Sequence, residues 1–119
     1  MGIFRLRSSG DPKEGLVPSD SVAPECFTTD DRTEVIHYAH LNEETGVSSG
    51  TWKCAPCREV FEAYPVDEMM TVLEGSVTLT DASGEEQTFV GGDTFFLAKG
   101  TPLTWEITET MLKYFMISE

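Results

Sequence analysis

"TWKCAPCREVFEAYP" (residues 51–65) decides the fold, because its Cys54-Ala55-Pro56-Cys57 admits two incompatible architectures. A C-x-x-C is a redox elbow when it follows a strand and opens a helix inside a βαβ unit. Otherwise it is two cysteines that lie near each other on strands. The elbow needs a helix of several turns after Cys57, and Pro65 stops any such helix early. In thioredoxins the tryptophan directly precedes the first cysteine, whereas here Lys53 stands between Trp52 and Cys54. Thr101-Pro102 lies about where a cis-proline loop would fall, but the intervening chain reads as strand throughout. The expectation is that Cys54 ends one strand, Ala55-Pro56 makes the bend and Cys57 opens the next.

Working outward, the pattern has period two on both sides. "EVIHYAHL" (34–41) alternates Val35, His37, Ala39 and Leu41 against Ile36, Tyr38 and His40, and its β-branched and aromatic content argues strand. Strands are also expected over 49–54, 58–64 and 67–75, the last stopped by Gly75. "SVTLTDASGEEQTFV" (76–90) is a hairpin, with alternating Val77-Thr78-Leu79-Thr80, turn chemistry at Asp81-Ala82-Ser83-Gly84 and a return through Thr88-Phe89-Val90. Further strands are expected at 94–98, 103–108 and 111–118. Eight or nine short strands and no convincing helix indicate an all-β sandwich or barrel. Before them, residues 1–34 read as an extended N-terminal arm, rich in Gly, Pro, Ser, Thr and Asp and without sustained periodicity. Residues 35–119 form the single domain.

The 119-residue length fits one core. No apolar run approaches the ~20 residues needed to span a bilayer, so no membrane association is expected. The start has basic residues but no apolar stretch after them, and Leu6 spoils a myristoylation match that Met1-Gly2 begins. Three cysteines, Cys26, Cys54 and Cys57, are an odd number that reads as reduced thiols, and the expected location is cytoplasmic. With 21 acidic against 8 basic residues the net charge is -13, which argues against nucleic acid as a partner, because such binding depends on Lys and Arg displacing counterions.

"YPVDEMMTVLEGSVTLTDASGEEQTFVGGDTFFLAKGTPLTWEI" (64–107) resembles the cupin superfamily, in particular the small single-domain branch related to ureidoglycine aminohydrolase cupins. Glu68 and Gly75 fit the E-x6-G half of the first cupin motif, and Gly92 and Gly100 fit the second, with Ala98 where proline is usual. The resemblance implies a double-stranded β-helix, the jelly-roll cupin barrel. The departures concern chemistry. Counting from the matched residues, the motif histidines fall on Glu62, Tyr64 and Leu103. Neutral imidazole is what holds a transition metal in such a site, and its loss points to a site without metal or cofactor. A divalent metal such as Mn or Ni is the alternative. His37 and His40 do not substitute, since a separation of three puts them on opposite faces of a strand.

The expected function is binding of a small polar metabolite inside the barrel. The resemblance places Glu62, Tyr64 and Glu68 inside as candidate catalytic residues, with Arg58, Met70, Phe96, Leu103 and Trp105 as candidate ligand-binding residues. A carboxylate facing into a barrel is costly unless paired, and Arg58 or Lys53 is the expected partner. The alternative is a small enzyme, of the ureidoglycine aminohydrolase or sugar isomerase sort, working through Glu62, Tyr64 and Glu68. A thiol redox protein using Cys54 and Cys57 is the remaining reading. The resemblance also implies a homodimer, to which the arm is suited.

Overall fold

Two long strands carry the architecture. In the computed structural model, which describes residues 2–119, these are β5 (Asp67–Asp81) and β8 (Leu103–Ser118), antiparallel over almost their whole length. Met1, the first residue of the expected arm, lies outside the described residues. On the far side of β8, its second half pairs with β3 (Val47–Cys54) and its first half with β4 (Cys57–Phe61). On the far side of β5 lie β6 (Glu86–Val90) and β7 (Thr94–Leu97). β2 (Glu34–Asn42) adds to β3, and a two-residue β1 (Val17–Pro18) caps that edge. All pairings are antiparallel, and the fold is the expected all-β double-stranded β-helix.

Each long strand serves two layers because it bends once. The sequence reading breaks β5 at Gly75 and β8 at Glu109-Thr110; the structure runs each through. Register shifts between Val72 and Val77 take up the bend. Gly75 sits there at φ +78°, where a Cβ would lie 2.1 Å from the Thr110 carbonyl oxygen, so only glycine lets the two strands cross so closely. The opening question resolves on β4: Cys57 starts a strand and no helix follows it. That strand is also shorter than expected, ending at Phe61 rather than 64. The loop after it is tied to the turn before β8 by Tyr64 N–H to the Thr101 carbonyl and Gly100 N–H to the Tyr64 carbonyl, both 2.8 Å.

A second bulge corrects the reading of the histidines. His37 pairs with Thr51 and His40 with Ser49, with the register slipping between Tyr38 and His40. Thr51 and Ser49 are two apart on a regular strand, so His37 and His40 share the outer face instead of opposing each other.

The arm is fastened to the barrel. Its first part crosses the outer face, where the Thr51 hydroxyl donates to the Arg7 carbonyl at 2.6 Å and the Phe4 and His40 rings lie 4.7 Å apart. Its second part is held by Glu34, a buried carboxylate at the start of β2. Glu34 accepts from the Ser19 hydroxyl (2.7 Å), the Ser21 and Val22 amides (3.1 and 2.8 Å) and the Trp52 indole N–H (3.0 Å). Burial pushes its pKa up, but these hydrogen bonds outweigh burial and hold the carboxyl below the ordinary value. The chain then makes a short 3-10 turn, Pro24–Cys26, and bridges Phe27 to Cys57. Among the described residues no helix is long and apolar enough to cross a membrane.

The core lies in the bend. Met70, Val72, Val77, Ile107 and Met111 are fully buried there with Cys54 and Cys57. Burial of each large side chain contributes roughly 1.5–3 kcal/mol. The other end of the barrel, between β2, β3, β4 and the second half of β8, is less completely filled.

Candidate functional site

The period-two alternation of four strands builds a cavity at that end. Ile36 and Tyr38 of β2, Trp52 of β3, Phe61 of β4, and Trp105 and Phe115 of β8 supply apolar wall around about 280 Å³. Ser21 and Val22, held in place by Glu34, form part of its rim, so the arm completes the site. The polar groups are Glu59, Tyr64, Glu68 and Lys113.

Three of these are joined. The Tyr64 hydroxyl donates to Glu68 Oε1 at 2.6 Å, and Lys113 Nζ donates to Glu68 Oε2 at 2.8 Å and to Met70 Sδ at 3.0 Å. The ammonium also lies 4.6 and 5.0 Å from the ring centroids of Trp52 and Trp105, which meet edge to face. Side-chain exposure is 6% for Lys113 and 5% for Glu68, so the two charges compensate each other away from water. Burial, then the adjacent Glu68 carboxylate, push the Tyr64 hydroxyl well above the ordinary tyrosine range, fixing it as a neutral donor.

Glu59 is different. It sits opposite Trp105 in the β4–β8 ladder and faces the cavity, and among the described residues it has no hydrogen-bond or ion-pair partner. Burial raises its pKa, the Glu34 carboxylate raises it further, and Lys113 partly opposes them. The Trp105 indole N–H is likewise buried without a partner among the described residues.

The sequence-derived candidates divide. Tyr64, Glu68 and Trp105 come together at the cavity, with Met70 directly beneath, its sulfur on Lys113. Glu62 does not: the chain leaves the strand after Phe61, and Glu62 is exposed in the loop. Arg58 points outward, because in β4 the inward positions are Cys57, Glu59 and Phe61. Phe96 is 58% exposed on the outer side, paired with Met69, and Leu103 is buried in the core outside the cavity wall. The partner of Glu68 is Lys113, not Arg58 or Lys53.

Two polar residues of the site escaped the sequence reading although a signal was there. Met111, Lys113, Phe115 and Ile117 form one inward register, so the lysine interrupts an apolar row. Cys57, Glu59 and Phe61 form another, interrupted by a carboxylate.

The positions that carry metal ligands in the cupin motifs do not fit a metal here. Glu62 is outside, Leu103 has no donor, and both oxygens of Glu68 are committed, one of them to an ammonium. Among the described residues no three His, Cys, Asp or Glu side chains are grouped as ligands. Cys54 and Cys57 are free thiols with no exposure. Their interaction drives the Cys54 thiol up and the Cys57 thiol down, while burial pushes both up and leaves neither sulfur open to a partner from solvent.

The family profile for the EutQ-like cupin domain matches residues 41–115. No curated protein matches the sequence. Among solved structures, a protein of unknown function of the DUF861 family from Pseudomonas syringae pv. tomato is 24% identical, with TM-score 0.79 over 92% of this chain and 46% of that one. The present chain thus spans about half the length of that protein. A protein described as ethanolamine utilization protein Q, from Salmonella typhimurium, is 16% identical with TM-score 0.66, covering 87% and 78% of the two chains. A Rhizobium leguminosarum protein of unknown function is 22% identical with TM-score 0.60, covering 75% and 84%.

Proposed function

This chain belongs to the family of EutQ-like cupin domains, and we propose that it binds a small organic molecule in the open end of its barrel through organic side chains rather than a metal centre. The observation that carries the reading is the Tyr64–Glu68–Lys113 network, whose ammonium and hydroxyl occupy a cavity of ligand size walled by aromatic rings. Cupins share a barrel and differ in what the barrel holds, so function lies in the site and not in the fold. The test is a thermal-shift and tryptophan-fluorescence screen of metabolites, with metal analysis of protein purified without a chelating column. A ligand whose effect is lost in Trp105→Ala supports the reading. Stoichiometric Mn, Fe, Ni or Zn overturns it.

The second reading is an acid–base enzyme of the ureidoglycine aminohydrolase sort. Glu59 favours it: a carboxyl with a raised pKa across the cavity from a fixed Lys–Glu pair is a pattern that separates acid from base. In that reading Glu59, not Glu62, works with Tyr64 and Glu68. Turnover lost in Glu59→Gln with binding retained distinguishes it from binding alone.

A homodimer is also part of the proposal. The exposed Met69, Phe96 and Met116 on the outer side support it, and light scattering at micromolar concentration tests it.

A further inference from the structure

The charge balance of the cavity wall identifies a class of ligand. Glu68 and Lys113 cancel at 2.8 Å, which leaves Glu59 as the charged wall residue without a partner among the described residues. A half-buried carboxylate with nothing to pair with is an unfavourable state that a bound cation relieves. Six of the wall residues are aromatic: Tyr38, Trp52, Phe61, Tyr64, Trp105 and Phe115. The faces of such rings attract ammonium groups, and the wall already does so, since Lys113 lies within 5.0 Å of both indole centroids. The net charge of -13 draws cations toward the molecule and disfavours anions. An acid binding at Lys113 would have to compete with Glu68 and share the cavity with Glu59.

We propose that the cavity selects a small organic ammonium compound, a primary amine on a short apolar or aromatic body, with Glu59 as the residue that pairs with it. This deepens the reading of the cavity as a ligand site and rests on it. Glu59 supplies the counter-charge and the aromatic wall takes the body, while Lys113 stays paired with Glu68.

The experiment uses the two tryptophans of the chain, Trp52 and Trp105, both of which line the cavity, so their fluorescence reports on its contents. The intact protein at pH 8 is titrated with benzylamine, benzyl alcohol and benzoate, which share a ring and differ in charge. The expected result is saturable quenching by benzylamine, at least tenfold weaker response to the alcohol and weaker still to benzoate. Glu59→Gln is expected to weaken benzylamine at least tenfold, leave the alcohol within twofold and keep the melting temperature within a few degrees. Benzoate binding more tightly than benzylamine, or Glu59→Gln leaving benzylamine unchanged, overturns the amine assignment while the cavity remains a ligand site. The assignment also falls if none of the three probes binds while an uncharged or acidic metabolite does. Failure of every probe and every metabolite overturns the ligand-site reading with it.

Discussion

Replacing Lys113 with methionine removes the ammonium and its hydrogen bonds but keeps an unbranched apolar stem as far as the ε position, so the loss reports mainly on the ion pair. In the wild type, Lys113 and Glu68 are 6% and 5% exposed, and the bond between them is 2.8 Å. Deleting one member of a buried pair leaves the other charge uncompensated, at a cost of about 3–5 kcal/mol. Glu68 keeps the Tyr64 hydroxyl at 2.6 Å, which places the expectation at the lower end, about 3 kcal/mol. For 119 residues the unfolding entropy is about 0.25 kcal/mol per degree, so the melting temperature is expected to fall by roughly 12 °C. Glu68→Gln added to Lys113→Met removes the orphaned charge and keeps an acceptor for Tyr64. The double variant is therefore expected to recover to within about 1 kcal/mol of wild type. Calorimetry or urea unfolding of the four proteins measures the cycle. A single variant that loses less than about 1 kcal/mol, or a double variant as unstable as the two singles added together, refutes the idea that these charges depend on each other.

Glu34→Gln is expected to weaken four hydrogen bonds and release the arm, seen as faster proteolysis around residues 19–23 and a loss of about 1–3 kcal/mol. The folded-state pKa of Glu34 lies below its unfolded value, so its contribution is present above the unfolded pKa and is lost as pH falls through the folded one. Arm release in the wild type is accordingly expected on acidification below the ordinary carboxylate range, and Glu34→Gln is expected to flatten that dependence. Gly75→Ala puts a Cβ on the Thr110 carbonyl oxygen at positive φ and is expected to cost at least about 3 kcal/mol, read by denaturant unfolding. Cys54 and Cys57 are expected to resist a thiol reagent in the native protein and to react on unfolding; rapid native labelling of both contradicts the burial described.

The fold was legible because alternation, turn chemistry and Pro65 all point to strands, and those signals are local. The bends were not, since Gly75 reads as a stop until the Thr110 carbonyl opposite it is known. The site was half legible for the same reason. Glu68, Tyr64 and Trp105 follow the motif spacing, and that spacing survives. Glu62 and Arg58 were misplaced because the inward parity of β4 falls on odd residues and the strand ends at Phe61, a matter of pairing with β8 that no local pattern reveals. Lys113 was hidden by its chemistry: a lysine in a strand reads as solvent-facing until its partner, 45 residues away in sequence, is seen beside it. The bulge that brings His37 and His40 to one face is likewise a property of the pair of strands rather than of one of them.

The claim on which the rest depends is that the open end of the barrel holds an organic guest between Glu59 and the two indoles, with the Lys113–Glu68 pair intact. Diffraction from crystals grown with benzylamine tests it most directly. The account predicts ring density against Trp52 or Trp105, with the amine nitrogen within hydrogen-bond distance of a Glu59 carboxylate oxygen. A metal ion bound to Glu68 with Lys113 displaced, or a ligand seated elsewhere while side chains fill the cavity, contradicts it.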